Sequence, residues 1–369
     1  MTYVVGVVGG GQLARMMIPA AEALGLDIRI LAEVEGSSAK LAASEVGDYR
    51  DWSTLRQFAT AVNTLTFDHE HVPTDFLHRL VAEGVSVQPG PDALVFAQDK
   101  AAMRHRLSSI DVPLPGWSVA ETVEQADAFI FDQGGQAVAK TPRGGYDGKG
   151  VRVISSGSDV SDWLDAGPVL MEQKVDFVRE VSQMVARRPS GETVPYPLVE
   201  TIQKDGVCAE VIAPAPHTTP DHISEAARIG VLIAESLDVT GMLAVEMFVT
   251  SSGDFLVNEL AMRPHNSGHV FTEGAITSQF EQHLRAVSDW PLGSPTLRHP
   301  WSVMVNLFGD AGNDRIQQIL DYSPLVSVHA YGKAARPGRK AGHLVVSGDE
   351  LDEVLALARA AGAIGAASA

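Results

Sequence analysis

One cysteine, Cys208, stands in 369 residues; this excludes an internal disulfide and a cysteine-rich metal site and suits a reducing compartment. Basic residues are also scarce, with 28 Lys and Arg against 46 Asp and Glu and a formal net charge of −18. A protein that coats nucleic acid needs the opposite balance, because neutralising phosphates takes an excess of Lys and Arg, so no nucleic-acid partner is expected. Long apolar runs are missing. No stretch is long enough to cross a membrane, and no basic segment followed by an apolar core starts the chain, so the expectation is a cytoplasmic protein with no membrane partner. Heptads, internal repeats and low-complexity tracts are absent too. What is present has the make-up of an ordinary globular protein, 45% apolar and 20% charged, with a length that calls for two or three domains.

Up to residue 97 the pattern alternates strand and helix. A strand near Tyr3–Val8 leads into a helix near Gln12–Leu24, stopped by Gly25; "LDIRILAE", "TLTFD" and "VSVQP" read as strands, with "STLRQFATAV" and "PTDFLHRLVAEG" as helices. Such alternation predicts an α/β region with a doubly wound parallel sheet. Residues 98–300 mix helices with antiparallel strands and Gly-containing turns, and 301–369 carry the strands "PLVSVHAYG" and "AGHLVVS" before a helix "LDEVLALARAAG".

In "YVVGVVGGGQLARMM", Gly9, Gly11 and Ala14 satisfy G-x-G-x-x-[GA], a strand-to-helix turn that holds a phosphate. Glu33, at about the distance of a ribose-binding acid, favours a dinucleotide; a single phosphate at the helix N-terminus fits equally. Asp68 ends the strand "TLTF", where open α/β sheets bind ligands, and either takes sugar hydroxyls or caps a helix. Glu70 reads as a site acid or a solvated loop acid.

"VAKTPRGGYDGKGVRV" is more informative. Lys140 ends a strand, Gly144, Gly145, Gly148 and Gly150 follow, and a strand resumes at Val151. Glycines at this density let backbone N–H groups approach an anion and let the loop close as a lid, with Lys140 and Lys149 in reach of phosphate oxygens. In "MEQKVDFVRE", Glu172 to Val175 could form an open edge for an adenine, and Glu180 could take ribose hydroxyls; charged strand residues facing water are the plain alternative.

In "LAVEMFVTSSGDFLVNELAM" two apolar strands flank a turn. With Ser252-Gly253 at its centre, Glu246 lies opposite Glu259, Cβ atoms about 4.5–5.5 Å apart, and like charges so placed oppose pairing. A hard cation shared with substrate phosphates offsets the repulsion, as Mg²⁺ does in phosphoryl transfer. Asn258 is a further oxygen donor. "MRPHNSGH" adds Arg263, His265 and Asn266, and "HAYGKAARPGRKAGH" gathers Lys333, Arg336, Arg339, Lys340 and His343 in an otherwise acidic chain, suited to phosphate or carboxylate.

Taken together, "GGGQLARM", "RGGYDGKGV", "EQKVDFVREVS", "YPLVETI", "VNELAMRPHNSGH" and "YGKAARPGRKAGH" resemble, in order, the carboxyaminoimidazole ribonucleotide synthetases, ATP-grasp enzymes of purine biosynthesis. The resemblance implies an ATP-grasp fold between an N-terminal ribonucleotide-binding domain (1–97) and a small C-terminal domain (301–369). It implies a ligase that uses ATP and bicarbonate to carboxylate 5-aminoimidazole ribonucleotide through carboxyphosphate. ATP would meet Lys100, Lys140, Gly145, Tyr146, Asp147, Gly148, Lys149, Glu172, Gln173, Lys174, Val175, Glu180, Gln203, Asn258 and Glu259. Glu246 and Glu259 would hold Mg²⁺, two ions in all. Gly11, Gln12, Leu13, Asp68, Asn266, Lys333, Arg339 and Lys340 would bind the ribonucleotide, its 5′-phosphate on the glycine turn. Tyr146, Asp147, Arg263, His265 and Lys333 would surround carboxyl transfer, with Arg263 and Lys333 holding bicarbonate or leaving phosphate and Asp147 accepting the amine proton. A homodimer is also implied. The sequence departs from the family pattern at Asp68 (usually Glu), Gln203 (usually His) and Lys100 (commonly Arg). A formate-dependent glycinamide ribonucleotide transformylase is the neighbouring reading, told apart by whether formate or bicarbonate supports ADP release; a nicotinamide-dependent oxidoreductase rests on the first motif and Glu33 alone.

Overall fold

Val and Gly at the start of the chain build β1 (Val4–Val8), and Gly11 opens α1 (Gln12–Leu24), which Gly25 closes at φ 69° with its N–H on the last carbonyls. The structure is a computed structural model that describes residues 2–144 and 150–366. The expected lid residues Gly145, Tyr146, Asp147, Gly148 and Lys149 lie outside the described residues. After α1 come β2 (Asp27–Ala32), β3 (Ala43–Val46), α2 (Trp52–Thr60), β4 (Thr64–Phe67), α3 (Thr74–Ala82) and β5 (Ser86–Val87). The five strands form one parallel sheet in the order β3-β2-β1-β4-β5. The chain reverses its winding between β1 and β4, and a crevice opens there at the strands' carboxyl ends. The glycine turn and Asp68 both border that crevice.

α4 (Pro91–Gln98) and α5 (Lys100–Ser108) lead to a small layer: β6 (Trp117–Ala120), α6 (Val123–Asp132), β7 (Ala137–Lys140), β8 (Val151–Ile154), α7 (Ser161–Leu164) and β9 (Val169–Gln173). Its sheet runs β6-β9-β7-β8, antiparallel, with Lys140 opposite Val151 at the mouth of the glycine loop. The remainder is dominated by one large sheet. It takes β10 (Phe177–Arg187), β11 (Thr193–Pro195), β12 (Val199–Lys204), β13 (Val207–Ala213), then after α8 (Pro220–Ser236) β14 (Gly241–Thr250) and β15 (Phe255–Ala261). α9 (Phe271–Gly274) and α10 (Gln279–Val287) follow, then β16 (Trp301–Gly309), α11 (Asn313–Tyr322), β17 (Val326–Ala330), β18 (Arg336–Gly348) and α12 (Leu351–Ala363). The sheet order is β15-β14-β10-β12-β13-β16-β18-β17, with β11 paired to β10. β16, which has no counterpart in the strands read from the sequence, pairs with β13 and so makes the sheet continuous across residue 301.

The cores are shared between segments. Val8, Phe67 and Leu77 of the first sheet and its helices pack with Met103, Leu107, Ile229, Met247 and Val257. On the other face, Leu13, Ala14 and Met17 of α1 meet Phe280, Leu284 and Val287 of α10. Fully burying such side chains contributes roughly 1.5–3 kcal/mol each, so α1 and the glycine turn stand on a fixed base.

Candidate active site

The hairpin of β14 and β15 carries the two acids. Its turn differs from the expected two-residue centre: Thr250 N–H donates to Asp254 O, and Gly253, at φ 92°, ends a three-residue loop. Near that loop Met247 faces Val257, one residue off the expected register. Asn258 then bulges, and beyond it Glu246 pairs with Glu259 as the spacing predicts. The bulge has a second effect, since an extra residue re-aims its side chain. Asn258 Oδ1 accepts from Lys140 Nζ at 2.9 Å, and its carbonyl accepts from Arg104 Nη2 at 2.7 Å.

Burial, then Glu259, then Glu180 push the Glu246 carboxyl up to about 8, against the pull of Lys340 and Arg263. Glu180, on neighbouring β10, is itself raised by burial, with Gln203 donating a hydrogen bond that pulls the other way. Lys100 Nζ lies 3.5 Å from Glu259 Oε1 and 3.3 Å from Gly144 O, between the acids and the glycine loop. His265 Nε2 is 3.5 Å from Glu246 Oε1. Burial, Arg263 and Lys340 hold that imidazole down at about 3, so at neutral pH the contact is not an ion pair.

Glu172 is a correction. It was expected on an open edge offering backbone to a base, but β9 lies inside its sheet between β6 and β7, and the open chain begins at Lys174. The Glu172 carboxylate points inward: Oε1 accepts from Arg104 Nε at 2.7 Å and Oε2 sits 2.8 Å from Lys140 Nζ. Burial would raise its pKa, yet Arg104 and Lys140 more than offset this and hold it below the ordinary carboxylate value. Arg104, fully buried, also donates to Val257 O at 3.1 Å. Sequence reasoning missed it; its place on α5 one turn after Lys100 was the available signal. Gln173 folds back on Gly116, and Lys174 Nζ reaches Gln136 Oε1 at 2.9 Å; Val175 follows in the open segment.

At the glycine turn Asp68 takes the capping role. Its carboxylate accepts from Gly11 N–H at 2.7 Å and Ala14 N–H at 2.9 Å. A Cβ on Gly11 would come within 2.0 Å of Asp68 Oδ2, which is why the turn needs glycine there. Glu33, expected to mark a dinucleotide ribose, instead accepts from Gly10 N–H at 3.1 Å and pairs with His69 at 3.2 Å. The His69 bond, ahead of the opposing burial, holds it down at about 2. The N–H groups of Gln12 and Leu13, in the first turn of α1, find no partner among the described residues. Lys333 Nζ donates to the Gln12 side chain, 2.6 Å from Oε1, brought there because Arg15 Nε donates to Ala330 O at 3.0 Å and Ser38 Oγ to Tyr331 O.

Glu70 is not a solvated acid: it is buried and 2.9 Å from Arg263 Nε. Asn266 is nearly buried, its amide exchanging bonds of 3.2 and 2.8 Å with Asn306. In the basic cluster, Phe308 pairs with Lys340 and Gly309 with Arg336, so Pro337, Gly338 and Arg339 bulge at the sheet's edge and leave Arg339 exposed. The structure thus brings Lys100, Lys140, Glu180, Gln203, Glu246, Asn258, Glu259, Arg263 and His265 to one region, with Gln12, Leu13, Asp68 and Lys333 at the crevice of the first sheet.

Comparison with known proteins follows the same division. Residues 1–98 match the ribonucleotide synthetase preATP-grasp domain, 105–280 the ATP-grasp domain, and 302–357 the phosphoribosylaminoimidazole carboxylase C-terminal domain. The N5-carboxyaminoimidazole ribonucleotide synthase of Mycobacterium tuberculosis is 45% identical over 363 residues, 95% of this chain and 85% of that one. Its Bacillus subtilis counterpart is 34% identical over 95% of this chain and 93% of the other. The crystal structure of the Thermus thermophilus synthetase superposes with a TM-score of 0.88 at 35% identity, covering 96% of this chain and 97% of that one. The Aspergillus clavatus N5-carboxyaminoimidazole synthase, in complex with ADP and 5-aminoimidazole ribonucleotide, gives 0.88 at 29% identity over 98% and 97%. The chain belongs to the N5-carboxyaminoimidazole ribonucleotide synthase family, with an ATP-grasp fold.

Proposed function

We propose that the chain catalyses the ATP-dependent carboxylation of 5-aminoimidazole ribonucleotide by bicarbonate, giving N5-carboxyaminoimidazole ribonucleotide, ADP and phosphate. The observation that carries the reading is the Glu246–Glu259 pair, two acids at one level of a hairpin with the Lys140–Asn258 bond alongside. Among the described residues no group of three or more His, Cys, Asp or Glu is arranged to hold a metal. Two carboxylates fit Mg²⁺, which completes its shell with phosphate oxygens and water. Bound there, Mg²⁺ would neutralise the charge on the phosphates during transfer.

Around it the chain's own groups do the rest. Lys140, fixed by Glu172 and Asn258, keeps one ammonium hydrogen for a phosphate oxygen, and Lys100 adds a second cation. Glu180 and Gln203 suit the nucleoside end, together with the open backbone at Lys174 and Val175. The Gln12 and Leu13 N–H groups with Lys333 suit the 5′-phosphate, and Arg339, Lys340 and Asn266 are assigned to the same ligand. Asp68 oxygens each keep a lone pair for a ribose hydroxyl. Bicarbonate oxygen attacks the γ-phosphorus, ADP leaves, and the amine nitrogen then attacks the carboxyl carbon as phosphate departs. Arg263, clamped by Glu70, suits the carboxyl or phosphate oxygens. Asp147 accepts the amine proton, and Tyr146 is assigned to the same step. In this reading 1–97 binds the ribonucleotide, 98–300 the nucleotide, and 301–369 completes the substrate site. The chain works as a cytoplasmic homodimer with two Mg²⁺. An ADP-release assay with each candidate amine tests the proposal: turnover that needs bicarbonate, 5-aminoimidazole ribonucleotide and Mg²⁺ is expected, and turnover with formate and glycinamide ribonucleotide instead would overturn it.

A further inference from the structure

Gln279 is the first residue of α10 and is fully buried. Its side-chain amide spans the main chain of His265: Oε1 accepts from His265 N–H at 2.8 Å and Nε2 donates to His265 O at 2.9 Å. The same Nε2 lies 2.8 Å from His269 Nδ1. The amide takes the place that a neighbouring strand would take, and His265 is accordingly extended, at φ −126° and ψ 158°. Extension sends the imidazole toward the acids, with Nδ1 2.9 Å from Ser267 Oγ and Nε2 3.5 Å from Glu246 Oε1.

Both ends of this link are stiff. α10 presses Phe280, Leu284 and Val287 onto α1, and the His269 ring stacks on Phe280 at 5.6 Å and on His343 of β18 at 4.6 Å. At Gly268 a Cβ would come within 2.3 Å of Gln279 Oε1, so the 265–269 segment wraps closely around this one amide.

We propose that Gln279 is a positioning residue: it fixes the backbone of His265 so that the imidazole stays beside Glu246 during carboxyl transfer. The inference rests on the proposed function, together with the place beside carboxyl transfer that the family resemblance implies for His265. A misplacement of about 1 Å costs on the order of 100-fold in rate, and the loss of two backbone-directed hydrogen bonds permits one.

A double-mutant cycle tests it. Gln279→Met keeps shape and volume but loses all three hydrogen bonds; kcat is expected to fall about 10- to 100-fold with the KM for ATP unchanged. On a His265→Ala background the same substitution should cause no further loss. Additive losses overturn the inference and leave His265 its role. Parental activity in His265→Ala overturns that role and the inference together. A lowered melting temperature with parental kcat in Gln279→Met overturns the inference alone. If Gln279→Met does not fold, Gln279→Glu, which keeps the acceptor for His265 N–H and loses the donor to His265 O, runs through the same cycle.

Discussion

Glu172 and Glu246 are glutamates on strands of the central region, and their surroundings differ in one respect. Glu172 has a cation on each oxygen, Arg104 at 2.7 Å and Lys140 at 2.8 Å, and is held below its ordinary pKa. Glu246 faces Glu259 with the neutral His265 at 3.5 Å, and burial and its acidic neighbours push it up to about 8 against the pull of Lys340 and Arg263. The first acid is satisfied by the fold. The second is left short of positive charge, and a charge deficit that the fold does not repair points to a ligand that does.

Breaking each acid separates the two roles. Glu259→Gln should lower kcat by about 10³-fold or more, the scale for losing transition-state charge stabilisation, and ADP release against Mg²⁺ concentration measures it. The same change relieves like-charge repulsion, so the denaturation midpoint should hold or rise. Glu172→Gln should do the reverse to stability, a loss of about 3–5 kcal/mol because Arg104 stays buried without its counter-charge, read from urea unfolding.

Acidity sharpens the contrast. Glu246 ionises near 4.5 unfolded and about 8 folded, so without Mg²⁺ its contribution is complete below pH 4.5 and is lost as pH rises through 8. Glu172, held lower when folded, contributes above pH 4.5 and is lost as pH falls toward its folded value. Denaturation midpoints from pH 4 to 9 should therefore fall less steeply between about pH 4.5 and 8 for Glu246→Gln than for the parent, with the two slopes converging above 8. The smallest effect is expected at Lys100→Arg, which restores the residue common in the family near a half-exposed Glu259; the KM for ATP should move by ~5-fold or less.

Much of this was legible in the sequence. α1 begins at Gln12 and ends at Leu24 where the glycine stop places it, and the alternation of the first ninety residues becomes a parallel sheet. The Glu246–Glu259 register held for a reason that spacing does not show: a longer loop shifts the strands by one residue, and the Asn258 bulge shifts them back. Local patterns do not report long-range compensation. Arg104 in "KAAMRHRL" looks like one more solvated basic residue, because its partner Glu172 lies 68 residues away. Glu33 stood at the right distance for a ribose, yet distance along the chain does not reveal that Gly10 and His69 already occupy it.

The strand pairing between β13 and β16 reaches beyond the site. Cutting the chain after Pro300 would strip β16, β17 and β18 and leave β13 with a bare row of unpaired backbone groups along Glu210–Ala213. Such an edge invites self-association, so a shortened product should aggregate during expression, and a workable split of this protein into two separately made halves has to fall elsewhere.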